Sequence, residues 1–323
     1  MRVGLLGDVM LGRGVAEALA STPPDELWSE EVRELTASCD LVVVNLECCV
    51  SERGAPTTAI RGKPFFFRAP PRAVDGLKAI GTSAVSLANN HALDYGLDAL
   101  SDSLAHLRGA RIASVGAGPG PEAARRSCLV GTDALRLGIV AVADHPREFA
   151  ATAPDGLGIA FADLHAGAPE WLLAEIARVR GACDRVLCFP HWGPNMATAP
   201  AHWQRRLAAE LAAAGADLVA GHSAHVFHGV ERVDGALVAY DLGDALDDYA
   251  VDRQLRNDLG LLALWSPGPA GDALELVGLR LRYARTELAE GEDADWIARR
   301  LARACAELGT AVERVAAQRF RIA

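Results

Sequence analysis

The sequence lacks a C-x-x-C pair, a run of 18 apolar residues and an excess of positive charge. Its seven cysteines are odd in number and scattered, which predicts reduced and mostly buried thiols, not a zinc or redox pair. Without a long apolar run, the chain is not expected to span a membrane. The net charge of −10 opposes non-specific binding to nucleic acid and to anionic membranes.

A signal peptide, internal repeats and low-complexity linkers are also lacking. The first apolar segment, Val3–Leu6, is too short for a secretory signal and is followed by a candidate site residue, Asp8. We therefore expect the protein to begin at a core strand and to stay in the cytoplasm. No shift in composition marks a domain break, so we expect one domain over 1–323, with a C-terminal helical extension from about 287.

Short apolar runs alternate with helical patterns through most of the chain, and they read as buried strands. These runs are Val3–Leu6, Leu41–Val44, Ala84–Leu87, Leu137–Val142, Arg185–Phe189 and Leu218–Ala220. After Gly221 come four further predicted strands, Val226–Val230, Ala236–Tyr240, Leu259–Trp265 and Leu274–Leu281, and then an amphipathic helix from Asp293 to about Leu308. This order predicts an α/β protein in which mixed sheets form a sandwich with helices on its outer faces.

Polar side chains follow several of these strands at the point where each strand ends. The candidates are Asp8, Glu47, Asn90, His191, His222 and His225. Carboxylate, amide and imidazole groups together suit Mn, Fe, Zn or Mg, and the absence of cysteine argues against a structural zinc. His222 and His225 can enter one cavity only if the backbone curls, for which Gly221 supplies the freedom.

Each of these residues also has an ordinary structural interpretation. Asp8 can cap a helix or close a turn, Asn90 can be a turn residue, and His191 can be a satisfied buried histidine. Taken singly, these interpretations compete evenly with a functional one. Their coincidence at successive strand ends favours a shared site.

The same segments resemble the motifs of a known family, in order and in spacing. They are Gly7–Arg13, Asn45–Glu47, Ala88–His91 followed by Asp94–Gly96, His191–Gly193 and Gly221–Val226, with a weaker likeness at Tyr240–Asp244. The family is CapA, named for poly-γ-glutamate capsule biosynthesis, within the calcineurin-like metallophosphoesterase superfamily. The resemblance runs from residue 2 to about 250.

This resemblance implies a four-layer α/β/β/α sandwich of two mixed sheets, with one or two divalent ions between the carboxyl ends of the sheets. It places Glu47 where the superfamily has its metal-bridging carboxylate. It assigns Asn90, His191 and His222 to one ion, and it assigns Asp8 and His225 to the other. The resemblance also implies that His91 acts as the acid that protonates the leaving group.

Four residues are candidates for substrate binding. Arg13 can bind a phosphate or carboxylate bidentately, and Asn45 is a further candidate within the second motif. Arg68 lies in a basic stretch that suits an anionic or peptide substrate, or that forms a surface loop. Trp192, next to His191, either walls the cavity or packs in the core.

One departure from the family pattern concerns the metal. The superfamily carries a histidine two residues after its first aspartate, where this chain has Met10, a soft and weak ligand for such ions. We therefore expect the ion held by Asp8 to bind loosely or to be absent. A separate departure is Asp244, which stands where CapA-like chains usually have asparagine.

Three functions are compatible with these observations. The first is a metal-dependent hydrolase of a phosphoester or of a peptide or γ-glutamyl amide. The second is a metal-independent epimerase of a ribosomal peptide, in which groups such as Asp8, Glu47, His91 or His225 move a Cα proton. The third is a non-enzymatic factor in envelope polymer assembly. The expected partner is a small molecule, phosphoester or peptide, and the oligomeric state stays open.

Overall fold

A computed structural model describes residues 2–132, 135–268 and 271–323. Its strands, in chain order, are β1 Val3–Val9, β2 Leu41–Leu46, β3 Cys49–Val50, β4 Arg68–Ala69, β5 Thr82–Ser86, β6 Ala113–Val115, β7 Ala117–Pro119, β8 Cys128–Thr132, β9 Leu135–Ala143, β10 Leu157–Ile159, β11 Arg185–His191, β12 Leu218–Ala220, β13 Val230–Val233, β14 Ala236–Ala239, β15 Asp244–Leu246, β16 Leu259–Ser266, β17 Ala273–Arg282, β18 Arg285–Leu288, β19 Val312–Ala316 and β20 Arg319–Ile322. Its α-helices are α1 Arg13–Ala18, α2 Glu30–Ala37, α3 Ala73–Ala79, α4 Gly96–Gly109, α5 Gly120–Arg125, α6 Glu170–Arg180, α7 His202–Ala213 and α8 Gly291–Ala306.

Most of the strands form two mixed sheets. The larger sheet has the order β19-β20-β17-β16-β1-β2-β5-β6, with β15 added beside β1 and β18 beside β17. Strands β1, β2, β5 and β6 run parallel, whereas β16, β17, β20 and β19 are antiparallel to their neighbours. The smaller sheet has the order β13-β14-β12-β11-β9-β8, parallel in the middle and antiparallel at both edges. Each sheet therefore has a parallel centre whose carboxyl ends can carry a site.

Alternation of side chains along the smaller sheet explains the layers. Leu187 and Phe189 of β11 belong to the same core as the larger sheet. Their neighbour Cys188 points the other way and packs with Leu172 of α6 and Leu207 of α7. Helices α2, α3 and α4 cover the larger sheet. The predicted four-layer α/β/β/α sandwich is confirmed.

The C-terminal segment connects the two sheets. The stripe Ala294, Ile297, Leu301 and Cys305 repeats at helical spacing on α8 and is buried. Helix α8 contacts β17 of the larger sheet and β13 of the smaller one. The sequence predicts only a helix here, but the chain continues into the hairpin β19–β20, which extends the larger sheet beside β17.

The segment after Gly221 is a loop over most of its length, so the predicted strand Val226–Val230 is wrong except for its last residue. Ser223 (φ 115°) and His225 (φ 60°) have left-handed backbone conformations, which interrupt an extended strand. Hydrogen bonds to Asp241 stabilise the loop conformation. The Ala224 amide donates to the Asp241 carboxylate, and the His228 amide donates to the Asp241 backbone carbonyl. None of the described helices has the length and apolarity that a membrane crossing needs.

Candidate metal centre

The carboxyl ends of the parallel strands from both sheets meet at one buried place. Strand β1 delivers Asp8, and the residue just after β2 is Glu47. Strand β11 ends at His191, which bridges to His222 after β12. These four side chains and the His225 side chain are all buried. The predicted convergence of distant residues is present in the structure.

One group of donor atoms consists of Asp8, His191 and His222. The His222 Nδ1 atom lies 3.4 Å from Asp8 Oδ1 and 2.8 Å from His191 Nδ1. The His191 Nδ1 atom lies 4.0 Å from Asp8 Oδ1. All three donor atoms are within 4.8 Å of one another, so this group could hold a metal ion.

A second group shares Asp8 and adds His225 and Asp244. The His225 Nδ1 atom lies 3.5 Å from Asp8 Oδ2 and 2.8 Å from Asp244 Oδ1. This group also satisfies the distances that a metal ion requires. Asp8 therefore stands between two possible ion positions, with one carboxylate oxygen toward each.

The chemistry of the unsatisfied atoms fits a divalent ion. In the described part of the chain, four buried polar atoms of this cluster have no hydrogen-bond partner: Glu47 Oε1, His191 Nε2, His222 Nε2 and Asp244 Oδ2. Asn90 Oδ1, in the loop after β5, is also buried without a partner. Leaving one such group unpaired costs about 1–3 kcal/mol, so four in one cluster need an explanation. Carboxylate, amide and imidazole donors suit Mn, Fe, Zn or Mg.

Several buried carboxylates lie close together in the centre and repel one another in their charged forms. Burial and the neighbouring Asp8 raise the pKa of Glu47 well above its usual value. Burial, Asp247 and Asp8 do the same to the pKa of Asp244. Although burial alone would raise it, hydrogen bonding and charge from His222, together with the His225 charge, lower the pKa of Asp8. A bound cation would relieve this repulsion.

Asn45 supports the centre from behind and is not in contact with the cavity. Its Nδ2 donates to Asp8 Oδ1 at 2.7 Å, and its Oδ1 accepts from Asn89 Nδ2 at 3.0 Å. Asn89 also donates to the Leu46 carbonyl at 2.8 Å. These hydrogen-bonded amides orient the Asp8 carboxylate. Asn45 was expected to contact the substrate, but in the structure its side chain contacts Asp8 and Asn89.

His91 lies at the edge of the centre, against a cavity. Its Nδ1 hydrogen-bonds Asp94 Oδ2 at 2.5 Å, while its Nε2 lies 3.9 Å from Glu47 Oε1. The ring stacks on Phe67 with centroids 3.9 Å apart. Burial lowers the pKa of His91 to about 4, although Asp94 acts in the opposite direction.

The cavity beside the centre has a volume of about 280 Å³. Its walls include Arg13, Phe65, Phe67, His91, His225 and Tyr249. The Arg13 guanidinium lies 5.5–5.8 Å from the ring centroids of Phe65, Phe67 and Tyr249. Its Nε is 3.3 Å from Asp248 Oδ2. Arg13 is thus placed to meet a ligand in this cavity.

Two predicted substrate-binding residues lie elsewhere. Arg68 donates to the carbonyls of Arg53 and Gly54 and stacks over Tyr95 at 4.2 Å. Trp192 is fully buried in the helix-side core, where its Nε1 donates to the Tyr240 carbonyl. Packing, the alternative left open for Trp192, accounts for its contacts, and neither residue lines the cavity.

Three residues in or beside the centre, Asp244, Tyr249 and Asn89, are not among the candidate residues predicted from the sequence. The sequence marks Asp244 only as a departure within the motif Tyr240–Asp244. Tyr249 donates its hydroxyl to Glu47 Oε2 at 3.3 Å, and no motif or spacing marked it. Asn89 could have been found, because it adjoins Asn90 and shares the same strand end.

Comparisons with known proteins identify several relatives of this chain. The chain is 29% identical to a "Probable polyglutamine synthesis accessory protein" of Mycobacterium tuberculosis, over 95% of this chain and 91% of that protein. It is 26% identical to the "PGA biosynthesis protein CapA" of Bacillus subtilis, over 78% of this chain and 65% of that protein. A hypothetical protein from Thermus thermophilus is structurally similar, with a TM-score of 0.45 and 18% identity, over 89% of this chain and 96% of that chain.

Residues 2–249 match the profile of a family described as "Bacterial capsule synthesis protein PGA_cap". This match covers the segments that carry the metal centre and the aromatic cavity. The chain therefore belongs to the PGA_cap family of bacterial capsule synthesis proteins, which is the CapA family that its motifs resemble.

Proposed function

We propose that this protein is a metal-dependent hydrolase that acts on a phosphoester or on a peptide or γ-glutamyl amide. The observation that carries the proposal is the set of four buried atoms without hydrogen-bond partners, from Glu47, His191, His222 and Asp244, close to Asp8. Retaining such a set without a ligand would destabilise the folded state. A divalent ion held there would act as a Lewis acid toward the scissile group.

The protein groups around the cavity have separate tasks in this proposal. Asp8, His191 and His222 would hold the ion, and Asn45 keeps the Asp8 carboxylate in place. Because Asp94 occupies Nδ1 of His91, its Nε2 is the ring atom that can exchange a proton with the leaving group.

Arg13 orients an anionic part of the substrate in the cavity. Its guanidinium group can form two parallel hydrogen bonds to a phosphate or carboxylate, and the rings of Phe65 and Phe67 lie beside it.

The test is hydrolysis by protein stripped with a chelator and then reloaded with Mn²⁺ or Zn²⁺. Phosphomonoesters, phosphodiesters and γ-glutamyl peptides form the substrate panel. We expect activity to be lost on stripping and to return with metal, and to be absent from His222→Leu. The surface variant His202→Gln is the matched control and should behave like the wild type. Activity that is indifferent to metal would contradict the proposal.

A second candidate, peptide epimerisation, is favoured by a different observation. His91 and His225 both line the same cavity, so two groups able to exchange protons face one ligand position. Such a pair can remove a Cα proton on one side and return it on the other without metal. Deuterium uptake from solvent into an intact peptide, in the presence of chelator, would support this candidate over hydrolysis.

A further inference from the structure

Asp244 lies beside Asp8 because of an unusual strand pairing. Strand β15 pairs in parallel with β1, and Asp244 is in register with Asp8. The two carboxylates thus sit on neighbouring strands, with the His225 ring against both of them.

The buried charges around Asp244 are not balanced by the protein. Its Oδ1 accepts from His225, its Oδ2 has no hydrogen-bond partner, and Asp247 adds a further buried carboxylate nearby. In the described chain, only histidines form ion pairs with Asp8 or Asp244, and no lysine or arginine does. One imidazole shared among several buried carboxylates leaves negative charge uncompensated, which is costly without a cation.

Met10 cannot supply the ligand that the superfamily resemblance places two residues after Asp8. Its sulfur accepts a hydrogen bond from the Gly12 amide at 3.0 Å and is fully buried. A thioether is also a poor ligand for hard divalent ions. If this side of Asp8 holds an ion, the third ligand has to come from another strand.

We propose that Asp244 is that ligand, so that Asp8, His225 and Asp244 hold a second divalent ion beside the one at Asp8, His191 and His222. The inference rests on the metal site of the proposed function and adds a second ion to it. Two carboxylates and one imidazole form a harder ligand set than a two-histidine site. The second position should therefore discriminate less against Mn²⁺ and Mg²⁺, relative to Zn²⁺, than the first position does.

The test is the number of Mn²⁺ ions bound, measured by titration calorimetry and by elemental analysis after gel filtration. We expect two ions for the wild type and one for Asp244→Asn, with affinity at the second position reduced by about 10–100-fold. The exposed-site variant Asp98→Asn should bind two ions. Asp247→Asn removes a neighbouring charge without removing a proposed ligand, and should also retain two.

Thermal unfolding without metal provides a second readout. Because Asp244→Asn removes a carboxyl group whose charged form is disfavoured by burial and by neighbouring carboxylates, it should melt at the same or a higher temperature than the wild type in chelator, yet gain less from Mn²⁺. Equal loss of metal in Asp244→Asn and Asp247→Asn would overturn the proposal, since the effect would then be one of charge alone. A wild type that binds one ion and hydrolyses its substrate would overturn it while leaving the proposed function intact.

The cavity beside the centre carries a second, independent inference about the substrate. Three aromatic rings, from Phe65, Phe67 and Tyr249, form much of its wall, together with Met196. Arg13 is the only lysine or arginine among its described lining residues, and Asp248 already pairs with it. The described lining residues therefore include no further lysine or arginine that could pair with a second negative charge on the substrate.

We infer that the group next to the scissile bond is aromatic or branched and apolar, with a single anionic group near Arg13. The inference assumes the site of the proposed function, and it distinguishes this cavity from one built for a chain of carboxylates. Burial of a phenyl ring in an apolar pocket contributes about 1.5–3 kcal/mol. An apolar probe should therefore bind at least about tenfold tighter than a charged one of similar length.

Two phosphonates test this by calorimetry on the Mn²⁺-loaded protein: phenylphosphonate and 2-carboxyethylphosphonate. We expect phenylphosphonate to bind more tightly, and Phe65→Ala to weaken it severalfold. The control Leu129→Ala, which shortens an exposed apolar side chain outside the cavity, should leave binding unchanged. Equal or tighter binding of the carboxyethyl compound, or binding of neither, would overturn the inference. Selective phenylphosphonate binding by a protein without hydrolytic activity would support the inference and contradict the proposed function.

Discussion

Replacing His222 by leucine should abolish the thermal stabilisation contributed by the divalent ion at Asp8, His191 and His222. His222 is fully buried, its Nδ1 lies 3.4 Å from Asp8 Oδ1, and its Nε2 has no partner in the described chain. Leucine has a similar volume but no donor atom, so the substitution removes a ligand without opening a large cavity.

The size of the effect follows from mass action. At a free Mn²⁺ concentration 100 times the dissociation constant, one bound ion stabilises the folded state by about 2.7 kcal/mol. At about 2.1 cal/mol/K per residue, the unfolding entropy of this 323-residue chain is roughly 0.7 kcal/mol/K. Each ion bound at this level should therefore raise the melting temperature by about 4 °C above its value in chelator, and the shift of His222→Leu should be smaller than that of the wild type by about this amount.

The assay is differential scanning fluorimetry with and without Mn²⁺, which cancels any loss of stability that the substitution itself causes. His228→Leu is the matched control, because His228 is an equally buried histidine whose Nε2 contacts the Ala197 carbonyl and no candidate ligand. The control should retain the full shift. An equal shift in His222→Leu and the wild type would refute the assignment of His222 as a ligand.

Three further predictions concern other parts of the molecule. Asn45→Ala removes the 2.7 Å hydrogen bond to Asp8, so Mn²⁺ affinity should fall by about 10–100-fold in a calorimetric titration, and unchanged affinity would exclude a positioning role. Arg13→Lys keeps the charge but loses the planar fork, so KM for an anionic substrate should rise more than kcat falls in steady-state assays, whereas a change in kcat alone would contradict substrate binding. Burial opposes the change, but hydrogen bonding from Arg178 lowers the pKa of Glu175 to about 2, below its unfolded value of 4.5. Glu175 therefore stabilises the fold above about pH 4.5 and loses this contribution as the pH falls toward 2. The free energy of unfolding in urea should differ between the wild type and Glu175→Gln at pH 7, and the difference should vanish by about pH 2. A difference that stays constant with pH would contradict this prediction.

The positions of Asp8, His191 and His222 could be predicted because each follows a short apolar run. Runs of this kind form parallel strands, and the carboxyl ends of parallel strands in one sheet share an edge, as for His191 and His222. Asp8 lies on the other sheet, and its approach to them is what the family resemblance implies. The sequence therefore predicts which side chains meet, even where the residues are more than 200 positions apart, as in the hydrogen bond from the Ser223 amide to Asp8.

The position of Asp244 in the centre could not be predicted from the sequence. Its place depends on the pairing of the three-residue strand β15 with β1, which joins residues far apart in the chain and leaves no local pattern. Val226–Val230 fails for the opposite reason, since its apolar residues suit a strand but left-handed residues and bonds to Asp241 hold it as a loop. In the hairpin β19–β20, only Phe320 and Ile322 are buried, so the alternation extends over the four residues of β20 and is lacking in β19, which is too little to predict a hairpin.

The central claim is that Asp8, His191 and His222 come together to hold a divalent ion. A crystal of the Mn²⁺-soaked protein, recorded at a wavelength where manganese scatters anomalously, tests it most directly. The account predicts an anomalous peak in contact with Asp8, His191 and His222. A difference map with no peak among these three side chains, at a Mn²⁺ concentration that saturates binding in solution, would contradict it.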